Sequence, residues 1–598
     1  MKKVFALLLA ACMIVGLLAG CGSTAAESTA ADVSSAAETA SEAAAASAEA
    51  AEAPAEEPAQ EPEAAEAPAS AEEAAEPEEA EAPAAAEGFQ PEDYGELELP
   101  LCEETESLSI FTRTPAMRQV PDAITSFGEF TCMQKAEELT NVHIEWQEVS
   151  NEAYTTQLNL IATSGDYPDM MAVGQLSGGT AKAYEDGIII DLSDLIEEYA
   201  PDYYAISRSD DSIVKSVVND EGLELSFYGM WDEPNIMTGM GIRQDWLDEL
   251  GLEVPETLGE LEDVLTAFKD AYDCSSPMLL SNMGMMDETS NFVCAFGVSG
   301  WNVAEQNTTC MYQEDGTVHC SLIEDGYRDY LTLMNDWYNK GLISKDFASI
   351  SSDVFAGETD ALINTDQAGF FRISVNQIAQ LKTTAENPNF ALTAMANVGE
   401  DGIVTNHFSD AALCSSEQSM NITTACENPE LACQWMDFWY TNAGMMLQNY
   451  GVYEEVYTIN DAGEIEFTDL INDNPWGVDA TGALTVYSFA GNLFGRQIAR
   501  RTEMFQTEDQ KEARNVWSST TDAAERIPTG MSLTTDESTE FGTLMGDIYT
   551  YAAECIMQFI NGDRSLDEWD EYVASLKTMG IDDAIACYQA AMDRYNSK

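Results

Sequence analysis

The pattern of apolar and polar positions changes character three times along this chain. Residues 4–18 are almost all apolar and sit behind Lys2 and Lys3. That run is short for a membrane span, which needs about 20 apolar residues, and it has the proportions of a secretory signal peptide. Residues 22 to about 96 are almost only Ala, Glu, Ser and Pro, without Lys or Arg. Ala and Glu favour helix, but recurring Pro and like charges oppose a continuous one, and large apolar residues are too few for a core. The pattern predicts a disordered, self-repelling tether over 21–104. A coil of roughly 70 residues reaches on the order of 45–50 Å.

Folded character is expected from about residue 105. Leu108–Phe111 reads as a first strand, Phe130–Leu139 as a helix, and Val142–Trp146 alternates as a strand. Glu152–Thr163 is again helical. A turn at Ser164–Asp169 leads into an apolar strand, Met170–Val173. Strand, helix, strand, helix, strand is the signature of a mostly parallel sheet. Ile188–Leu192 and the helix Leu195–Tyr199 close this unit, with Pro201 as a stop. Further on, Pro429–Tyr440 and much of Gln510–Lys598 carry helical periodicity.

Composition narrows the function. The 598 residues are 45% hydrophobic and 9% aromatic, enough for a large core and more than one lobe. Against 25 basic residues stand 107 acidic ones, a formal net charge of -82. Such a field repels nucleic acid and anionic lipid, and it disfavours a strongly anionic ligand, although a local basic pocket can hold one carboxylate. Of the 13 cysteines, Cys12 leaves with the leader. No CxxC or Cys/His cluster points to zinc, and no cofactor is called for. Cys310 and Cys320 flank a turn at Asp315-Gly316 and are candidates for a disulfide, with the register open. No HExxH, GxSxG or P-loop pattern occurs, and His143, His319 and His407 are scattered. With so many acids a pair of carboxylates is expected by chance and argues for no glycosidase.

Two resemblances give these features a direction. Leu18-Ala19-Gly20-Cys21 resembles a bacterial lipobox, in which the Cys thiol receives a lipid, so Cys21 is the expected lipidation site and mature N-terminus. A series of segments resembles family 1 extracellular solute-binding proteins, the sugar-binding lipoproteins of ABC importers. They are Ala162–Asp169, Ile242–Leu252, Trp337–Ile343, Asn449–Tyr453, and Phe559-Ile560-Asn561-Gly562 with Trp569–Tyr572. The ordered set covers about 105–598, with the maltodextrin-binding protein a more distant relative. The resemblance implies an α/β fold of two discontinuous lobes with a hinge and an interlobe cleft, the type II binding-protein arrangement. On that pattern 105–236 begins the N-lobe, 237–410 the C-lobe, 411–455 returns to the N-lobe, and 456–598 completes the C-lobe. It implies a monomeric, non-enzymatic extracellular protein, lipid-anchored to the outer face of the cell membrane. Its partners would be a carbohydrate, most simply an oligosaccharide, and the permease subunits of an importer. A carbohydrate-active enzyme, or a sensor or adhesin on the same fold, are the alternatives, and a peptide or other small solute is an alternative ligand.

A sugar site needs aromatic plates for ring faces and polar side chains for hydroxyls, enclosed between lobes. Trp231 and Asp232 lie in a turn-rich segment at the first expected crossover. Trp301 follows Gly297-Val298-Ser299-Gly300, and Trp476 stands in Asn474-Pro475-Trp476-Gly477. Phe371 and Arg372 fall in the segment where the family carries a ligand-facing aromatic. Gln175 follows the strand Met170–Val173, where α/β ligand sites gather, and Asp410 falls at the returning crossover. For each aromatic, packing is the rival role. Arg243 and Asp245 are expected to brace the hinge. Trp246, Trp337, Trp435 and Trp439 repeat at helical spacing and are expected in the core.

Overall fold

The computed structural model describes residues 90–115, 124–176, 178–280, 292–301, 310–350, 358–409, 413–489 and 494–598. All of these lie in one compact unit, Glu81–Lys598. Cys21, Asp410 and the leader lie outside the described residues.

The strands, in chain order, are β1 (Glu106–Arg113), β2 (Val142–Val149), β3 (Met170–Met171), β4 (Phe227–Trp231), β5 (Thr238–Arg243), β6 (Ser276–Met278) and β7 (Met311–Glu314). There follow β8 (Thr317–Cys320), β9 (Ala368–Ser374), β10 (Leu392–Met395), β11 (Cys414–Ile422), β12 (Tyr457–Ile459), β13 (Ile465–Phe467) and β14 (Arg496–Gln497). Two sheets organise them. One has the order β14-β4-β11-β3-β1-β2 and the other β10-β5-β9-β6, while β7-β8 and β12-β13 are hairpins.

The start of the fold follows the predicted alternation. β1 pairs in parallel with β2 and β3. Between β1 and β2 the helix Thr131–Thr140 ends on Asn141 in the left-handed region, and the helix Asn151–Ser164 ends on Gly165 in the same way. Ile188–Leu192 forms no named strand. It makes only one isolated bridge, Ile189 with Thr423, at the end of β11. Pro201 does close the helix Ser193–Tyr199, but it also opens the next, Pro201–Ser207, because its fixed φ and missing N–H suit a first helical position.

Ordered chain begins earlier than residue 105. Tyr94 stacks on Phe438 with ring centroids 5.9 Å apart. Asn442 Nδ2 donates to Asp93 at 2.8 Å, and Leu97, Leu99 and Leu101 pack on the core of the six-stranded sheet. Four apolar side chains in eight residues are enough to dock this segment, so folded chain reaches into the stretch expected to be a tether.

Each sheet has its own core. Trp435 and Trp439 meet edge to face under the six-stranded sheet. Trp246 and Trp337 lie in the core around the four-stranded sheet, the first stacked on Tyr272 and the second donating from Nε1 to Glu262. The chain passes between sheets three times. It leaves β4 at Trp231 and enters β5 at Thr238, and it returns between β10 and β11. The third passage is later than the expected boundary at 456. Met445, Met446, Tyr450, Val456, Tyr457, Leu484 and Ile498 form one apolar cluster, and β14 pairs with β4. Residues up to 497 therefore stay with the six-stranded sheet. The chain then crosses to the helix Glu508–Ser519, where Trp517 Nε1 donates to Met240 O at 3.0 Å. A Cβ on Gly239 would come within 2.4 Å of that indole, so the start of β5 must be bare backbone there.

Cys310 and Cys320 are both fully buried, with their Sγ atoms 3.2 Å apart as free thiols.

Candidate functional site

The register of the six-stranded sheet decides where chemistry can gather. β2 and β3 run parallel to β1, β11 runs antiparallel to both β3 and β4, and β14 runs parallel to β4. So β1, β2, β3, β4 and β14 all end at one edge, where β11 begins. Ligand sites of α/β sheets form outside the carboxyl ends of strands. This edge carries Arg113, Gln175, Trp231 and Asp232, and the turn after β14. From β14 to β1 it crosses four strand spacings, about 19 Å, longer than a single sugar ring needs.

Two passages are laced together at this edge. Trp231 N donates to Leu413 O at 2.7 Å, and Asp232 N to Gln497 O at 3.1 Å. Asp232 Oδ1 accepts from Ala499 N at 2.8 Å. Asp232 is exposed, yet crowding by surrounding protein pushes its carboxyl above the ordinary range, with the charge on Glu233 adding to this. Trp231 is half-buried. Glu233 pairs with Arg500 and lies 3.8 Å from Arg514, whose Nη2 also donates to Asn235 Oδ1 at 3.2 Å. Trp231 and Asp232 follow one another at this edge and supply the two side-chain types, indole and carboxylate, that suit a sugar ring face and a hydroxyl.

The other expected residues divide. Gln175 is exposed beyond β3, its Oε1 3.5 Å from Thr155 Oγ1. Arg372 is half-buried near the crossover end of β9, with Nη2 3.4 Å from Thr238 Oγ1. Trp301 was expected at the cleft but is closed to solvent, stacked on Tyr549 at 5.0 Å in the core of the second sheet. Phe371 is likewise buried. Strand alternation turns it onto the face packed with Ile373, Val375 and Ile378, opposite Arg372. Trp476 lies in the expected loop, between the helices Asp469–Asn472 and Ala480–Tyr487, half-buried with its ring 5.8 Å from Tyr487.

Arg243 is fully buried. It forks onto Asp245 at 2.8 and 2.7 Å and lies between the rings of Trp246 and Phe390. It sits at the far end of β5 from the crossover, so it fixes a strand–helix corner rather than the hinge.

Sequence reading passed over the turn after β14. Arg496, Arg500 and Arg501 place three of the chain's 25 cations within six residues, and that density was the available signal. Tyr450, inside the recognised Asn449–Tyr453 segment, feels both Arg501 and Asp232. Among the described residues no group of three or more His, Cys, Asp or Glu is placed to hold a metal ion.

The two sheets, their three connecting passages and the strand-end edge define a type II, two-lobe binding-protein fold. The chain belongs to the family described as bacterial extracellular solute-binding protein, whose signature matches residues 129–446. Lipoprotein LipO of Bacillus subtilis (strain 168) is 26% identical over 352 residues. The match spans 57% of this chain and 66% of LipO, just under two thirds of that relative. The fructooligosaccharide ABC transporter substrate-binding protein FusA of Streptococcus pneumoniae serotype 4 (strain ATCC BAA-334 / TIGR4) is 22% identical over 497 residues, 79% of this chain and 88% of FusA. Among solved structures, an HMO-binding, ABC-transporter-associated solute-binding protein from Bifidobacterium longum infantis superposes with a TM-score of 0.64. It is 18% identical and covers 82% of this chain and 99% of its own.

Proposed function

We propose that this chain is the extracellular substrate-binding component of an ABC importer and that it captures a carbohydrate, most simply an oligosaccharide. Trp231 and Asp232 carry this reading. A half-buried indole and an exposed carboxylate follow one another at the strand-end edge where the lobes connect. FusA, whose name gives fructooligosaccharide as its ligand, supports a carbohydrate over other solutes. The mechanism is binding without turnover. Ligand bridges the lobes, and its higher affinity for the closed form shifts the population toward it. The closed form then docks on the permease.

Lipidation of Cys21 after removal of residues 1–20 would hold the receptor at the membrane. One acyl chain anchors only marginally, so stable attachment takes two or more. Palmitate labelling of cells expressing the chain should mark it, and Cys21→Ala should abolish the label.

A thermal-shift screen against mono- and oligosaccharides tests the ligand class, since binding stabilises by RT ln(1 + [L]/Kd). At least one carbohydrate should raise the melting temperature without being consumed. A shift with peptides and none with carbohydrates would sink the assignment.

A further inference from the structure

Three passages of chain join the two lobes, and a further junction between them is made by side chains and close backbone approach. On the first lobe it uses the helix Asp211–Val217, whose Ile213 and Val217 lie in the core of the six-stranded sheet, and the turn that follows. On the second lobe it uses residues 530–537 and residues 594–598 at the end of the helix Ile581–Asn596. Met531, Met592 and Tyr595 tie these to the core around the four-stranded sheet.

Asp220 is the centre of the junction. Its turn is held by Asn219, whose Oδ1 accepts from Glu221 N at 3.0 Å and from Leu223 N at 2.9 Å. Opposite stands Arg594. Its Nη1 and Nη2 donate to Glu537 at 2.8 and 2.6 Å, and Nη2 also donates to Ser532 O at 3.1 Å, all within the second lobe. That fork fixes the guanidinium with Nε toward the first lobe, where it donates to Asp220 Oδ2 at 2.9 Å. Lys598 Nζ pairs with the other oxygen, Asp220 Oδ1, at 3.1 Å. The same ammonium donates to Val218 O of the first lobe at 2.8 Å and to Gly530 O of the second at 3.1 Å. The side chains of Asp220 and Lys598 are only 15% and 12% exposed, so the pair is largely shielded from water.

Two further contacts join the lobes here without charge pairing. Thr535 Oγ1 donates to Glu185 Oε2 at 3.1 Å, reaching the helix Gly179–Glu185 that packs on the first sheet through Ala183. At Gly530 the backbones themselves touch, since a Cβ there would come within 1.9 Å of Lys215 O.

An isolated, exposed ion pair contributes little. Here a guanidinium already oriented by one carboxylate meets a second in a hydrogen-bonded turn, so little side-chain freedom is lost when the lobes meet. None of these residues lies in the connecting passages, so hinge rotation has to part them.

We propose that Asp220 is a positioning residue for ligand capture: gripped by Arg594 and Lys598, it latches the lobes together and sets the closed fraction before ligand arrives. This rests on the two-lobe capture reading above and deepens it. A ligand that prefers the closed form binds in proportion to how much of that form is already populated.

The test needs no ligand. Spin labels are attached to azido amino acids at Glu197 and Glu571 of the full chain. Both positions are exposed, one on the helix Ser193–Tyr199 of the first lobe and one on the helix Trp569–Met579 of the second. Pulsed electron resonance then reads the distance between lobes. We expect the population at the distance set by this structure to fall about threefold or more in Asp220→Asn and in Arg594→Gln. Asp220→Glu, which keeps the charge, should lose less. Lys340→Gln breaks ion pairs with Glu262 and Asp336 inside the second lobe and should leave the distribution unchanged. Circular dichroism and melting of each variant separate lost folding from lost latching. Should Arg594→Gln fail to fold, the two Asp220 variants decide. A distribution that Asp220→Asn leaves as in the parent, or that Lys340→Gln alters as much, would overturn the latch. With no sugar present, either result leaves the carbohydrate reading to its own screen.

Discussion

At the residue scale, the two tryptophans that looked alike in sequence take opposite places. Trp231 ends a strand at the open edge, whereas Trp301 is sealed against Tyr549. Trp231 ends a strand and Trp301 follows a glycine-containing turn, and such local signals say that a side chain leaves an element, not which surface meets it. Trp231→Ala should therefore weaken ligand binding by tenfold or more with melting little changed. Trp301→Ala should cost about 3–5 kcal/mol of stability, as for other buried aromatics cut to Ala, seen as a lower denaturant midpoint. Asp437 offers a pH test. It is fully buried and accepts from Tyr203 N at 2.7 Å, yet burial raises its carboxyl from 3.8 to about 7. The folded state then holds a proton that the unfolded state has lost between about pH 4 and 7. The resulting stabilisation is complete below about pH 4 and is gone once pH rises past 7. Asp437→Asn keeps an acceptor for Tyr203 without the charge. It should melt higher than the parent at pH 8, by the equivalent of about 1–4 kcal/mol, and the gap should shrink toward pH 4–5.

At the element scale, the first strands and helices were legible because two periods, 2 and 3.6, alternate cleanly between residues 106 and 171. What escaped was docking of short irregular chain. Tyr94, Leu97, Leu99 and Leu101 show no period, yet they cover the face of the helix Pro429–Phe438 and the core beneath it. A truncation starting at Gln90 should melt close to the full chain. One starting at Thr105 should lose about 3–5 kcal/mol, counting roughly 1 kcal/mol for each half-buried apolar side chain, read as a fall in melting temperature. Likewise β14 is two residues long and carries no strand pattern. It exists because β4 offers it a partner, and it keeps residues 456–497 with the first sheet instead of the second.

At the scale of the whole molecule, charge and lobe architecture set the expectations. A chain of net charge -82 repels itself, and salt screens that repulsion. Its melting temperature should rise by several degrees between 20 mM and 0.5 M NaCl, the reverse of what a fold held by surface ion pairs would show. Saturating ligand should reduce the radius of gyration in small-angle scattering as the lobes close. Tight binding with no change in that radius would argue against hinge closure.

By itself the sequence determined the class. The acidic, core-poor stretch, the alternating strand and helix periods and the ordered family segments pointed to a two-lobe extracellular receptor, since all of these are local properties written in consecutive residues. Tertiary structure decided the site. Which strand ends share an edge depends on sheet order and on β11 running against its neighbours, and those pairings join residues hundreds of positions apart. Only that arrangement set Trp231 and Asp232 beside the turn of Arg501, while burying Trp301 and Phe371. Side-chain type is local, but exposure depends on what the rest of the chain packs against it.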